Sequence, residues 1–265
     1  LGRSPAGFPT TRTRRSIMSV AHALVALAVC TAATGFVFPA SWKTCKWTDA
    51  KANDCLKTSV TAAIKTLKNG NDELGVEPID PMHIDALSIE QGASSVVTIR
   101  LNFKNLKMMG MSSVIIDRAI PDLKKNKLVL DYHLTEPLRL EGDYTSKGRI
   151  LLIPINGVGK STLLLDNFKG STTLNLKRVT RGGEEFLEVS NSDIIINTSR
   201  LHLDFKRNDP REEAFSKNLN VFLNSNWQDL LEDLKPAISR AFSNTFKTTA
   251  NRIFSKFPLK ELSPA

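Results

Sequence analysis

Histidine and cysteine, the side chains from which most metal centres and many nucleophilic sites are built, are scarce: four and three in 265 residues. No His-Glu-x-x-His occurs, so the zinc-hydrolase arrangement of two imidazoles one helical turn apart is missing. No histidine lies between Cys45 and Cys55, so that pair lacks the further ligands a metal site needs. The stretch Gly110-Met111-Ser112-Ser113-Val114 lacks the second glycine of a nucleophile elbow. His133 and His202 stand among alternating residues, where a solvated or hydrogen-bonded imidazole is the simpler reading. Asp80, inside Pro-Ile-Asp-Pro, reads as a turn residue. No catalytic residue, metal or cofactor is expected, and the chain is not expected to be an enzyme.

A complete phosphate-binding loop is lacking as well. Residues 154–162 read PINGVGKST and end like one. The motif requires a glycine five positions before Gly159, and Pro154 stands there. Proline has no N–H to offer a phosphate. Downstream, Gly170 cuts the run that should be a helix. Two strands, Ile150–Ile155 and Thr162–Leu165, are expected, joined by a turn at Asn156-Gly157-Val158-Gly159, with Lys160 solvated at a strand start. No nucleotide is expected.

Strong hydrophobic runs are few. Val20–Phe36 is interrupted by His22 and rich in alanine, thin for a membrane span of about 20 strongly apolar residues. It follows Arg3, Arg12, Arg14 and Arg15, with no acid nearby, and closes on Ala33-Thr34-Gly35. This is the layout of a secretory signal peptide over 1–35, with Met18 a candidate start and 1–17 an upstream extension; a membrane anchor is the competing reading. Residues 36–265 then form the mature domain, secreted and extracellular, with no stable membrane insertion. Removing four arginines lowers the formal charge from +9 to +5, and the lysines are scattered, which gives no nucleic-acid footprint. Cys45 and Cys55 remain, an even number, and a disulfide between them is expected. Asn197-Thr198-Ser199 is a glycosylation sequon.

The pattern that is present changes period twice. Leu56, Val60, Ile64 and Leu67 make one helical stripe over 52–69, ended by Gly70. GVEPIDPMHIDAL, with two prolines, reads as an extended connector. From Ser95 to Lys206 the period is two: Val97, Ile99, Leu101 and Phe103, then Leu128, Leu130, Tyr132 and Leu134, then Leu174 and Leu176, then Leu201, Leu203 and Phe205. Such alternation favours an antiparallel meander with one buried face, and Arg181-Gly182-Gly183-Glu184 reads as a hairpin turn. Helical spacing returns from Leu219 and resumes after Pro236 through Phe242, Phe246 and Phe254; Pro236 either kinks one helix or opens a second. Seven of the thirteen phenylalanines lie beyond residue 200, and a helix so striped needs a large apolar partner surface.

Blocks spread along the mature chain carry a resemblance: the Cys45–Cys55 pair, LGVEPIDPM at 74–82, LEGDY at 140–144, GRILLIPINGVGK at 148–160, Asn226-Trp227, LKPAI at 234–238 and NRIFSKFP at 251–258. Together and in order they resemble the insect takeout / juvenile-hormone-binding-protein family of secreted lipophile carriers. The resemblance implies an α+β fold, a long C-terminal helix wrapped by a strongly curved antiparallel sheet enclosing a hydrophobic tunnel, similar to one unit of the larger lipid-binding proteins with tubular cavities. It implies a small elongated hydrophobic ligand: a terpenoid such as juvenile hormone, a fatty acid or a related lipid. One cysteine pair is the takeout-like pattern. A monomer is expected. The expected ligand-binding wall is Ile99, Leu101, Phe103, Leu130, Tyr132, Leu152, Phe242, Phe246 and Phe254, although each taken singly reads more simply as plain core than as a ligand contact. Tyr132 either turns its phenol inward to a ligand's polar end or directs it to the surface. Periodicity alone does not separate a tunnel from a solid core, and a secreted interaction protein at a membrane or receptor is the alternative function.

Overall fold

The computed structural model describes residues 38–39, 41–92, 97–150 and 153–264. The expected signal peptide and Leu152 lie outside the described residues. The order is α1 (Ala52–Thr66), β1 (Met82–Gln91), β2 (Val97–Met109), β3 (Val114–Asp122), β4 (Lys127–Leu134), β5 (Leu138–Ile150), a two-residue β6 (Ile153–Pro154), β7 (Gly157–Asp166), β8 (Lys169–Arg181), β9 (Glu184–Asn197), β10 (Arg200–Arg207), α2 (Glu213–Ser225), α3 (Trp227–Phe254) and α4 (Leu259–Leu262). The class is α+β, with a long C-terminal helix against antiparallel strands.

The strands pair as β1-β2-β5-β7-β10, with β6 on β5, and as β3-β4-β8-β9. The two orders match. β2 runs on into β3, β4 into β5, β7 into β8 and β9 into β10. Four long strands are thus each bent once, and the bends are tied together by Thr135 N–H to Ser113 O, Leu134 N–H to Phe168 O and Ser199 N–H to Asp166 O at 3.0–3.3 Å. Gly110 makes one bend with φ +100°; a Cβ there would lie 2.6 Å from the carbonyl oxygen of Pro137. The sheet is curled but not closed, since β1 and β10 do not pair.

Edge strands expose unpaired backbone groups, and the helices satisfy three of the four edges with side chains spaced four or eight residues apart. On α1, Asn53 and Thr61 accept from the N–H groups of Ala119 and Ile116 of β3. On α2, Asn220 and Asn224 each bond both backbone groups of a β10 residue, Phe205 and Leu203. On α3, Ser239, Ser243, Lys247 and Asn251 bond Ile194, Ser192, Ser190 and Val189 of β9. Residues four apart share a helix face, so the position just before each of these on α3 forms a second stripe: Ile238, Phe242, Phe246 and Ala250, which faces the interior. Among the described residues no hydrogen bond joins α3 to β1, the fourth edge.

Three expectations need correction. The connector ends sooner than read, because β1 begins at Met82. Its buried positions are Met82, Ile84, Leu87 and Ile89; the parity slips opposite the β2 bulge at Lys104–Lys107, where Asn105 has φ 50°, and the slip hides the alternation. Asn156–Gly159 is not a free turn, and Lys160 does not start a strand. Gly157 opens β7, with Gly159 opposite Tyr144 of β5 on one side and Arg207 of β10 on the other. A Cβ on Gly159 would sit 1.8 Å from the Lys206 carbonyl oxygen, so its glycine serves close strand approach, and Lys160 ion-pairs across the strands with Asp143. The helical run read from Leu219 to Leu234 is divided at Asn226 into α2 and α3, while Pro236 lies inside the 28-residue α3, in keeping with the one-helix alternative and not with a second helix opened there. The hairpin at Gly182-Gly183 has φ 56° and 83°, both positive as a type I′ turn requires.

Candidate functional site: a series of apolar cavities along the long helix

Three cavities lie in order along the inward stripe of α3. The first, of about 110 Å³, meets α3 at Leu230, Leu231, Leu234 and Ile238 and is walled by Ile99, Leu101, Phe103, Tyr144 and Phe205. The central one, of about 90 Å³, meets α3 at Leu231, Ile238, Phe242 and Phe246 and is walled by Leu87, Phe103, Met108, Tyr132 and Phe168. The third, of about 210 Å³, meets α3 at Ala250, Ile253 and Phe254 under α1, with Trp42, Trp47, Leu56 and Leu130. From Leu230 to Phe254 the helix rises about 36 Å at 1.5 Å per residue.

The first two cavities share Ile89, Phe103, Leu163, Leu201, Leu231 and Ile238, so they are neighbours across one ring of side chains. The central and third share none. Tyr132 and Leu130, however, alternate on one face of β4, and Phe246 and Ala250 are one turn apart, so that partition is a single layer of side chains.

The expected wall residues distribute over all three. Ile99 and Leu101 line the first, Phe103 the first and central, Tyr132, Phe242 and Phe246 the central, and Leu130 and Phe254 the third. The structure therefore does not gather them into one site. Tyr132 turns its hydroxyl neither to a void nor to the surface: it meets Thr172 Oγ1 at 3.2 Å, both residues buried. Its ring lies over Gly170, where a Cβ would come within 2.4 Å of it. Burial pushes this phenol's pKa up, so it stays protonated.

Other lining residues escaped the sequence reading. Met108 follows the β2 bulge, which reverses the parity of everything after Lys104. Tyr144 and Phe205, edge-to-face at 4.9 Å, come from strands remote in sequence; the even-numbered burial of Leu138, Leu140, Tyr144 and Ser146 was the available signal. Cys45 and Cys55 form a disulfide with Cα atoms 5.8 Å apart, and Cys45 lines the third cavity. Asn197 is exposed at the end of β9, its Oδ1 accepting from Lys235 Nζ at 3.0 Å.

Apart from the exposed Lys43, which borders the third cavity, charged groups stay outside the cavities with one exception. His133 bonds Asp117 at 2.9 Å on the surface. Asp80 is more than a turn residue: its carboxylate accepts from the N–H groups of Gly110 and Ser112, both at 3.0 Å, and from the Ser112 hydroxyl. Burial alone would raise its pKa, but these bonds outweigh it and hold the carboxyl below the usual range. The exception is Arg207, 10% exposed, which lines the first cavity. Among the described residues no cluster of His, Cys, Asp and Glu suits a metal ion, and no helix is long and apolar enough to cross a membrane.

Comparison with known proteins agrees with this architecture. The family described as haemolymph juvenile hormone binding protein (JHBP) matches residues 24–264. The circadian clock-controlled protein daywake of Drosophila melanogaster is 25% identical over 232 residues, covering 84% of this chain and 87% of that protein. A putative beta-carotene-binding protein of Schistocerca gregaria is 22% identical over 214 residues, 79% of this chain and 82% of its own. The crystal structure of Takeout 1 from Epiphyas postvittana has the same fold, with a TM-score of 0.70 at 23% identity over 84% of this chain and 99% of that one.

Proposed function

This chain belongs to the haemolymph juvenile hormone binding protein family, a family of binding proteins rather than enzymes, and from that premise we propose that it is a secreted carrier of one small elongated hydrophobic molecule. The ligand is a terpenoid such as juvenile hormone, a fatty acid or a related lipid, held in the cavities along α3. The observation that carries this reading is the row of three apolar cavities under one helical stripe. Their direction suits a long, thin guest better than a compact one. The Schistocerca relative, named for binding a long polyene, supports the same ligand shape.

Burial supplies the affinity. A guest of 15–18 carbons removes about 400 Å² of apolar surface from water, worth roughly 10 kcal/mol at ~25 cal/mol per Å². Association and ordering oppose it by several kcal/mol, leaving reversible binding. The test is extraction of the secreted protein followed by mass spectrometry, with displacement of a fluorescent fatty-acid probe by a panel of terpenoids and lipids. A co-purifying lipid or displacement within the panel is expected. An empty protein that binds nothing in the panel refutes the carrier and leaves an interaction protein. The same proposal includes removal of residues 1–35 on secretion and a glycan on Asn197; the intact mass of the secreted product reads both.

A further inference from the structure

We propose that the Tyr144 hydroxyl, backed by the buried guanidinium of Arg207, is a hydrogen-bond donor site at the α2 end of the cavity series, and that it selects a ligand whose head is an acceptor oxygen, such as an ester or other carbonyl. The inference rests on the carrier reading and gives its ligand a chemistry and an orientation.

Tyr144 is 3% exposed and lines the first cavity. Its ring is fixed by Phe205. No acceptor for its proton is found among the described residues. Arg207 is fully engaged on its outer side: Nη1 donates to Glu212 at 2.6 Å, Nη2 to the Asn156 carbonyl, and the guanidinium stacks 4.1 Å from the Phe215 ring centre. Its Nε is buried with no well-formed hydrogen bond to an acceptor and faces the Tyr144 oxygen, the one group on its inner side toward which the guanidinium donates. The Tyr144 oxygen and Arg207 Nε lie 3.4 and 3.0 Å from the point where a Cβ on Gly157 would stand, so both groups converge where only glycine leaves room. This is the residual role of the PINGVGKST stretch: its glycines and the Asn156 carbonyl hold the donor pair.

The donor count exceeds the acceptor count in this pocket. Glu212 neutralises the Arg207 charge, so a neutral acceptor fits without burying an unpaired anion. The guanidinium donates toward the phenol oxygen, which leaves the phenol its own proton to give. Burial raises the Tyr144 pKa, although the nearby Arg207 lowers it in part, so the proton is present to donate. An unpaired buried donor favours any guest that supplies an acceptor.

The test compares two guests of matched carbon number, methyl dodecanoate and tridecane, in displacing N-phenyl-1-naphthylamine from the full secreted chain. The wild type is expected to prefer the ester about tenfold. Tyr144→Phe is expected to abolish that preference and leave tridecane unchanged. With a ¹³C-labelled ester carbonyl, infrared spectra should show a downshifted stretch in the bound wild type and none in Tyr144→Phe. Equal binding of both guests to the wild type, or equal weakening of both by the variant, overturns the donor site while the carrier reading stands. Binding of neither guest overturns both.

Discussion

Ile238 stands in the ring that separates the first cavity from the central one, so Ile238→Trp should shorten the longest guest the protein can hold. The two cavities measure about 110 and 90 Å³; at about 15 Å³ per water-sized group they accommodate about thirteen such groups together, about seven of them in the first. Each buried methylene contributes about 0.8 kcal/mol, close to fourfold in affinity. In the wild type, affinity along a series of methyl esters from six to sixteen carbons should therefore climb about fourfold per carbon until near twelve. An indole at position 238 closes the shared ring, and the climb should stop near six. A twelve-carbon guest then leaves roughly half its tail in water, a loss of more than a hundredfold even if part of the tail refolds within the first cavity. Ile238 is only half-buried and faces open space, so overpacking costs about 1–3 kcal/mol and a thermal melt separates it from unfolding. The assay is probe displacement across the ester series at fixed temperature. An unchanged slope in the variant would show that the guest does not pass Ile238. A flat series in the wild type would show that the cavities are not filled in succession.

Three further perturbations test the frame around the cavities. Asn251→Ala removes the side chain that bonds both backbone groups of Val189, at 2.7 and 3.0 Å. Two backbone groups at a fully buried residue are left unpaired, and urea unfolding should report a loss of roughly 2–4 kcal/mol. Gly159→Ala forces a Cβ against the Lys206 carbonyl and should destabilise by about 3 kcal/mol or more in the same assay; a loss below 1 kcal/mol would contradict the close β7–β10 approach. Asp80 has a depressed folded-state pKa, so its stabilisation is full above the unfolded carboxylate value of about 3.9 and is lost as pH falls through the lower folded value. Asp80→Asn should therefore lower stability at pH 7 by about 1–2 kcal/mol, discounted for partial solvent screening, and the gap between variant and wild type should close as pH falls through the lowered folded-state value; a constant gap at all pH would refute the ionic contribution.

Much of the fold was written in local pattern. Strands with buried Val97–Phe103 or Leu128–Leu134 and helices with apolar residues at three- and four-residue spacing declare themselves, because side-chain direction follows backbone period within a few residues. The hairpin at Gly182-Gly183 is legible because only glycine takes both positive φ values cheaply. The missing first glycine before Gly159 excluded the phosphate loop without coordinates. What sequence left open was decided by contacts between distant segments. The bulge at Asn105 reset the parity of β2 and with it the inward faces of Met108 and Leu87, since a one-residue shift moves every later side chain to the other face. Pro236 is carried inside α3 because tertiary packing holds the helix through it. Whether the Phe stripe bounds cavities or solid core depends on how four bent strands stand off from one helix. That spacing is set by edge ladders such as Ser239-Ser243-Lys247-Asn251 against β9, which pair residues more than forty positions apart. Tyr144, Gly157 and Arg207 likewise meet only because β5, β7 and β10 are neighbours: sequence supplied the donors, and the registry of three strands brought them to one point.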